Sequence, residues 1–115
     1  MASTEYLKLL EDMADLHKRK SAGYVGDNPD NWSNFRMSEA FGISATDGVI
    51  TRMSDKWSRL QSLWHSKLND QVGESIEDTL MDLSAYALIL ICLIRESELE
   101  EYRREVMGLN SIRGV

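Results

Sequence analysis

Acidic residues gather at the start of a segment that becomes wholly apolar about one turn later. Residues 74–94 read ESIEDTLMDLSAYALILICLI. Glu74, Asp78 and Asp82 fall on one side of a helix at about 100° per residue, and towards the C-terminus that side becomes apolar. Carboxylates beside buried surface usually meet a metal ion or a cationic side chain, so these three residues are catalytic and metal-binding candidates. The alternative is that they only favour a helix N-terminus and point into solvent.

A second charged group lies on the preceding amphipathic segment. Arg52, Asp55 and Arg59 follow one another at spacings of three and four, and Lys56 borders them. On a helix this pattern forms an ion-pair ladder. The pattern also places one carboxylate among three cations. Asp55 could bind a metal ion, and the cations could bind phosphate oxygens; they are Arg52, Lys56 and Arg59.

The loop predicted for residues 22–34 carries aromatic side chains among turn-forming residues. It contains Tyr24, Trp32 and Asn34, and Phe35 follows. Trp32 and Phe35 could plug the end of a helical bundle. Alternatively, rings and amides in such a loop could hold a nucleobase by stacking and hydrogen bonding.

The first predicted helix ends in the basic run 17–20. Positive charge is favourable at a helix C-terminus, which explains the run without any ligand. A functional alternative is that Lys20 faces a phosphate.

The composition excludes several classes of function. The chain has 115 residues, two histidines and one cysteine, with a net charge of −6, which argues against general nucleic-acid or membrane-surface binding. No Walker loop, dinucleotide-binding glycine motif, zinc-ligand spacing or nucleophilic triad is present. The remaining oxygen-rich side chains suit Mg²⁺ or Mn²⁺, which would grip phosphate oxygens and activate a water. Cys92 lies in the apolar run and is predicted to be a reduced, buried thiol in a cytoplasmic protein. No signal peptide is visible.

Apolar periodicity predicts an all-α fold, an antiparallel bundle of three long helices plus a short helix. The first helix is capped by Ser3 or Thr4 and runs to about Lys20, and a short helical piece spans residues 35–41 before Gly42. The second helix follows a capping-box-like sequence at 44–47 and runs to about residue 68, and the third runs from 74 to about 107. Residues 1–107 form one domain, and residues 108–115 are predicted to be a flexible tail.

Two consequences follow from this arrangement. The short connection makes the second and third helices antiparallel neighbours, which brings Asp55 and Arg59 within reach of Asp78 and Asp82. Residues 85–94 are apolar around the whole helix circumference, which three helices do not cover. We therefore expect at least a homodimer, or a homotetramer.

Four sequence blocks together resemble a known family. They are Lys20 with Tyr24-Val-Gly26, Asn31-Trp32-Ser33-Asn34-Phe35, Asp55-Lys56-Trp-Ser-Arg59-Leu60, and Glu74 to Ala87. They look like the small nucleotide-modification-associated domain common in phage genomes. That domain is similar to the all-α nucleoside triphosphate pyrophosphatases of the MazG and dimeric dUTPase group. The resemblance covers roughly residues 20–94, and the last block is its most specific part.

The resemblance implies an oligomeric helical bundle with a Mg²⁺-dependent nucleotide site between its helices. In the pyrophosphatase group, Glu-x-x-Glu on one helix and Glu-x-x-Asp on the next bind the metal. Here Asp78-Thr-Leu-Met-Asp82 matches the second motif with a spacing of four rather than three, and the second helix offers Asp55 alone among cations. A site with fewer acids and more cations could bind a nucleotide without cleaving it.

Three functional hypotheses follow. The first is a phage-type pyrophosphohydrolase that cleaves a deoxynucleotide, modified or not, to its monophosphate and pyrophosphate in the host cytoplasm. The second is a non-catalytic protein that sequesters a host signalling cyclic nucleotide as an anti-defence protein. The third is an interaction protein whose charged helices assemble with a partner. In the first, the residues divide by role into metal and catalytic ligands (Glu74, Asp78, Asp82, with Asp55 as a further metal ligand), phosphate ligands (Lys20, Arg52, Lys56, Arg59) and base contacts (Tyr24, Trp32, Asn34).

Overall fold

Three long α-helices and one short 3₁₀ helix make up the chain in this computed structural model, which describes residues 3–26, 30, 32–66 and 75–113. In chain order they are α1 (Thr4–Val25), the 3₁₀ helix (Arg36–Phe41), α2 (Ala45–Ser66) and α3 (Ile76–Arg113). No strand occurs in these ranges. The predicted all-α bundle of three long helices plus a short one is confirmed.

The first helix begins where the sequence predicts and ends later. The backbone N–H of Tyr6 donates to Ser3 Oγ at 3.4 Å, so Ser3 is the N-cap of α1. The helix continues through Val25, five residues past the predicted end at Lys20, so the assignment of residues 22–25 to a loop was wrong. Gly23 does not break the helix, because glycine weakens a helix interior without preventing it. The break comes at Gly26, whose φ is +60°.

The turn into α2 follows the predicted local signals. Gly42, with a φ of +78°, ends the 3₁₀ helix, and its N–H donates to the carbonyl oxygen of Glu39. Ser44 Oγ then accepts the N–H of Asp47 at 3.1 Å, which caps the first turn of α2.

The third helix starts with a reciprocal capping box. Ser75 Oγ accepts the N–H of Asp78 at 3.0 Å, and Asp78 Oδ2 accepts the N–H of Ser75 at 3.2 Å. The 38 residues of α3 make it about 57 Å long and carry it past Gly108 to Arg113. The helix therefore includes most of the predicted tail, and the flexibility of that end stays a prediction. In the ranges that the structure describes, no helix is both long and apolar enough to cross a membrane.

The core lies between α2 and α3, which run antiparallel as predicted. It consists of Ala45 and Val49 from α2 with Ile89 and Leu93 from α3. Further along the pair, Lys56 of α2 contacts Asp82 of α3, so residue numbers rise on one helix as they fall on the other. Trp32 and Phe35 pack against this core, which agrees with the interpretation that they plug the end of the bundle.

Much apolar surface stays outside this small core. An apolar stripe along one side of α3 is exposed and consists of Leu88, Ile91, Cys92, Leu99, Tyr102 and Val106. The expectation that Cys92 is buried was wrong, because it lies on this stripe rather than on the core side of α3. The Cα radius of gyration is 18.5 Å, against about 13 Å for a compact domain of this length. Such a surface is typical of a chain that is completed by association.

Replacing Gly48 by alanine should destabilise the fold, although alanine is the better helix former. A Cβ at Gly48 would lie 2.8 Å from Ser38 Oγ, whose hydroxyl bonds the carbonyls of Phe35 and Ser44. Ser38 would have to move and lose these bonds, so we expect Gly48→Ala to lower the free energy of unfolding by about 1 kcal/mol in urea denaturation.

The matched control is Gly23→Ala in α1, where an added Cβ meets nothing within 4 Å. We expect it to raise the free energy of unfolding by about 0.5 to 1 kcal/mol. Equal stabilisation by both substitutions would contradict the close contact between the 3₁₀ helix and α2.

We expect the chain to self-associate through the apolar stripe of α3, and Leu99→Lys to weaken that association. Leu99 is 50% exposed and outside the core, so the substitution should leave the helical content of the protein unchanged. Sedimentation velocity over a range of concentrations should show a lower mass for Leu99→Lys than for the unmodified chain.

Glu101→Lys serves as the control, because Glu101 lies on the opposite side of α3 from Leu99. A monomer mass for the unmodified chain at all concentrations would contradict self-association.

Candidate ligand cavity

A cavity of about 350 Å³ lies where the three long helices meet residues 32–35, the aromatic segment that precedes the 3₁₀ helix. Side chains at helical spacings of three and four turn towards it from α1 and α3. Its lining residues are Met13, Leu16, His17, Lys20 and Ser21 of α1, Asn34 and Phe35, Arg52 of α2, and Asp82, Ala85, Tyr86 and Ile89 of α3. The cavity is thus apolar and aromatic with a few charged groups, as is usual for small-molecule sites.

Asp82 is the charged centre of this region. Lys20 Nζ of α1 donates to Asp82 Oδ1 at 3.1 Å, and Lys56 Nζ of α2 lies 2.9 Å from Asp82 Oδ2. The carboxylate is mostly buried, with 20% of its side chain exposed. Burial alone would raise the pKa of Asp82, but the hydrogen bonds from Lys56 and Lys20, with their positive charges, outweigh it and lower the pKa. The group is therefore ionised at neutral pH and joins three helices.

Aromatic rings form another part of the lining. Phe35 and Tyr86 meet edge to face, with ring centroids 6.4 Å apart and planes at 87°. The guanidinium of Arg52 lies over the Phe35 ring, 4.8 Å from its centroid. A flat ligand ring would meet aromatic surface here, and Arg52 would lie close to any negative group that it carries.

Arg36 fixes the aromatic segment against α3. Its Nε donates to Asp30 Oδ2 at 2.6 Å and its Nη2 to Glu96 Oε1 at 2.7 Å. Asp30 Oδ1 also accepts the N–H of Trp32. Although partial burial opposes it, this N–H and the Arg36 guanidinium lower the pKa of Asp30. Phe35 is thereby held at the cavity on a segment that Arg36 ties to α3 and that is closed on itself by the Arg36–Asp30 pair.

The structure brings together several of the residues that the sequence singles out. Lys20, Arg52, Asn34 and Asp82 all line the cavity, and Lys56 adjoins it through Asp82. Trp32 lies at its edge: its ring centroid is 5.9 Å from that of His17, which is a lining residue. Three of the four predicted phosphate ligands and one of the three predicted base contacts therefore lie in or beside one cavity, although they come from different parts of the chain.

Other predicted residues do not reach the cavity. Asp78 is exposed and occupied in the capping box of α3, and Asp55 is exposed on α2. Arg59 is half-buried on α2 outside the cavity lining. Glu74 and the side chain of Tyr24 lie outside the described residues.

The grouping of the predicted metal ligands stays a prediction, because Glu74 lies outside the described residues. In the described part of the chain, no three His, Cys, Asp or Glu side chains are grouped so that they could hold a metal ion. The carboxylate of Asp82 is paired with Lys56, the residue that follows Asp55 on α2. Binding of Mg²⁺ or Mn²⁺ stays a prediction.

Sequence reasoning missed His17, Ser21 and Tyr86 as lining residues. The signal was present, because His17 lies three residues before Lys20, and Tyr86 lies four residues after Asp82. Side chains at these spacings share a helix face. A search along the face of each candidate residue would have found them.

A larger depression lies between the 3₁₀ helix and the C-terminal half of α3. Its volume is about 950 Å³, and its lining includes Glu39, Glu96, Glu100 and Glu101. This groove is more open to solvent than the central cavity, and its acidic side chains would repel a phosphate. The central cavity is therefore the better candidate for an anionic ligand.

Comparison with other proteins adds no assignment. No family model matches the chain, and neither a curated protein nor a solved structure is similar enough to count as a match.

Asp82→Asn should reduce the acid sensitivity of the fold. Because the pKa of Asp82 is lowered from 3.8 in the folded state, its stabilising contribution is full above that value and is lost as the pH falls through the folded pKa. We expect Asp82→Asn to cost about 1 kcal/mol of unfolding free energy at pH 7, between the values for exposed and buried ion pairs. The difference should shrink as the pH falls below 3.8.

The measurement is urea denaturation of both proteins from pH 7 down to about pH 3. Asp30→Asn is a useful comparison, because the pKa of Asp30 is lowered too, at a site away from the cavity. A constant difference between Asp82→Asn and the unmodified chain at all pH values would contradict the pairing with Lys20 and Lys56.

Proposed function

We propose that this chain binds a nucleotide in the central cavity. The observation that carries the proposal is the joint presence of two kinds of group in one enclosed space. Phe35, Tyr86 and the amide of Asn34 suit a base, and Lys20 and Arg52 suit a phosphate. Stacking against rings with a few convergent polar groups is a common way to hold such a ligand.

The electrostatics of the cavity support a ligand that carries negative charge. The chain as a whole is acidic, with a net charge of −6. Yet, among the described lining residues, the cations Lys20 and Arg52 stand against one carboxylate, that of Asp82, and Lys56 adjoins the cavity. This local reversal of sign would attract a small anion into an otherwise repulsive protein.

Hydrolysis of the bound nucleotide is a second candidate function. It is favoured by Asp82, an ionised carboxylate in the cavity wall that could contribute to a Mg²⁺ site. Catalysis would need further oxygen ligands, from Glu74 or from a second copy of the chain. Binding without cleavage needs no further group and would lower the free concentration of the ligand, as in sequestration of a signalling nucleotide.

A thermal-shift and calorimetric panel of ribo- and deoxynucleotides tests the proposal. At least one nucleotide should raise the melting temperature, because a ligand of the native state stabilises it. Arg52→Gln should weaken binding of that nucleotide about tenfold, which corresponds to about 1.4 kcal/mol. The matched control is Lys8→Gln, which removes one positive charge from an exposed part of α1 outside the cavity lining.

The same samples separate binding from cleavage. Release of pyrophosphate that needs Mg²⁺ and is abolished by Asp82→Asn would support the enzyme. Recovery of intact ligand, with equal affinity in chelator and in Mg²⁺, would support binding alone. If no nucleotide changes the melting temperature or gives heat, the proposed function is wrong.

A further inference from the structure

We infer that the ligand is a nucleoside monophosphate whose phosphate group takes the place of the Asp82 carboxylate between Lys20 and Lys56. This inference rests on the proposed function and specifies the class of nucleotide. It assigns Asp82 the role of an internal anion that occupies the phosphate position until the ligand arrives.

The geometry of the two lysines carries the inference. They come from different helices and each approaches a different oxygen of the same carboxylate, at 3.1 Å for Lys20 and 2.9 Å for Lys56. Two ammonium groups are thus already gathered around a pair of anionic oxygens. A phosphate presents such a pair of oxygens with more charge, so it can use the same donors.

The balance of charge selects the number of phosphates. Among the described residues, three cationic side chains, Lys20, Lys56 and Arg52, lie in or beside the cavity. They could face one phosphate group, and a phosphate monoester carries about −1.5 to −2 at pH 7. A triphosphate would bring an excess of negative charge that these side chains do not balance.

The size of the cavity points the same way. At about 350 Å³ it is near the lower end of the range of about 300 to 1,000 Å³ that is typical of small-molecule sites. That space suits one base, one sugar and one phosphate better than a dinucleotide. The aromatic part of the lining, formed by Phe35 and Tyr86, would receive the base, and the lysine end would receive the phosphate.

Asp82 need not leave the cavity wall for this exchange to occur. Lys20 is half exposed and Lys56 less so, with 50% and 23% of their side chains accessible. Lysine amines on long, flexible stems can turn from one anion to another, and the cost of leaving Asp82 without them is subtracted from the binding energy of the ligand. The ligand would therefore compete with Asp82 for the amines, and its affinity would report on that competition.

Calorimetric titration of the full-length protein tests the inference with four kinds of probe. They are the common deoxynucleosides, their 5′-monophosphates, their 5′-triphosphates and inorganic phosphate, each in chelator and in Mg²⁺. We expect a monophosphate to bind at least tenfold more tightly than its nucleoside, and more tightly than its triphosphate and free phosphate.

Variants then test the competition. Asp82→Asn should raise the affinity for that monophosphate about fivefold, because the competing anion is gone. The affinity for the corresponding nucleoside, which has no phosphate, should stay the same. Lys20→Met and Lys56→Met should each reduce the affinity for the monophosphate towards that of the nucleoside. Lys18→Met is the control, because it removes the same charge from an exposed position on α1 outside the cavity lining.

The outcomes separate this inference from the proposed function. Three outcomes would overturn the inference and leave the proposed nucleotide binding in place. They are equal affinities for a nucleoside and its monophosphate, a higher affinity for a triphosphate than for the monophosphate, and a lower affinity for the monophosphate in Asp82→Asn. If no nucleoside or nucleotide binds, the proposed function itself fails. Should Asp82→Asn fail to fold, the lysine variants and the order of the four probes still decide.

Discussion

The carboxylate of Asp82 links all three long helices through charge. Lys20 reaches it from α1 and Lys56 from α2, each through its own oxygen. The buried apolar core of the described residues, in contrast, involves only α2 and α3. Removing a carboxylate partly from water is unfavourable, and the two ammonium groups together offset the cost, as the lowered pKa of Asp82 indicates. The position of α1, and with it one wall of the cavity, therefore depends on an ion pair as well as on apolar contact.

Because the apolar core is small, the positions of the helices and of the aromatic segment also depend on ion pairs between side chains. The four buried apolar residues that the described helices place between α2 and α3 cannot order a chain of this length by apolar burial alone. Arg36 supplies a second link, since it ties Asp30 and Glu96 together and holds the aromatic segment on α3. The exposed apolar stripe of α3 is surface that this small core leaves uncovered. Burial of such a stripe against another chain, which we expect, would add to the small apolar core.

Local signals in the sequence predicted local structure well. Ser3, Gly42 and Ser44 lie at helix ends as expected, because capping and positive-φ positions depend on neighbouring residues alone. The end of α1 was missed, because Gly23 weakens a helix without ending it. The partners of Asp82 were missed for another reason. Periodicity gives the face on which a side chain lies, but which residue on the neighbouring helix meets it depends on the relative position of the two helices, which periodicity does not fix.

The two lysines at Asp82 also bear on the choice between binding and cleavage. A divalent cation placed at this carboxylate would meet two ammonium groups within hydrogen-bonding distance of its ligand, and like charges at that range repel strongly where water is partly excluded. An anion at the same place is attracted by both ammonium groups and repelled by Asp82, so it binds where the lysines turn towards it. Carboxylates gathered without cations favour a metal, whereas a carboxylate enclosed by cations favours exchange with another anion. On this reasoning the two lysines at Asp82, as they are arranged, favour a phosphate over a divalent cation at this carboxylate.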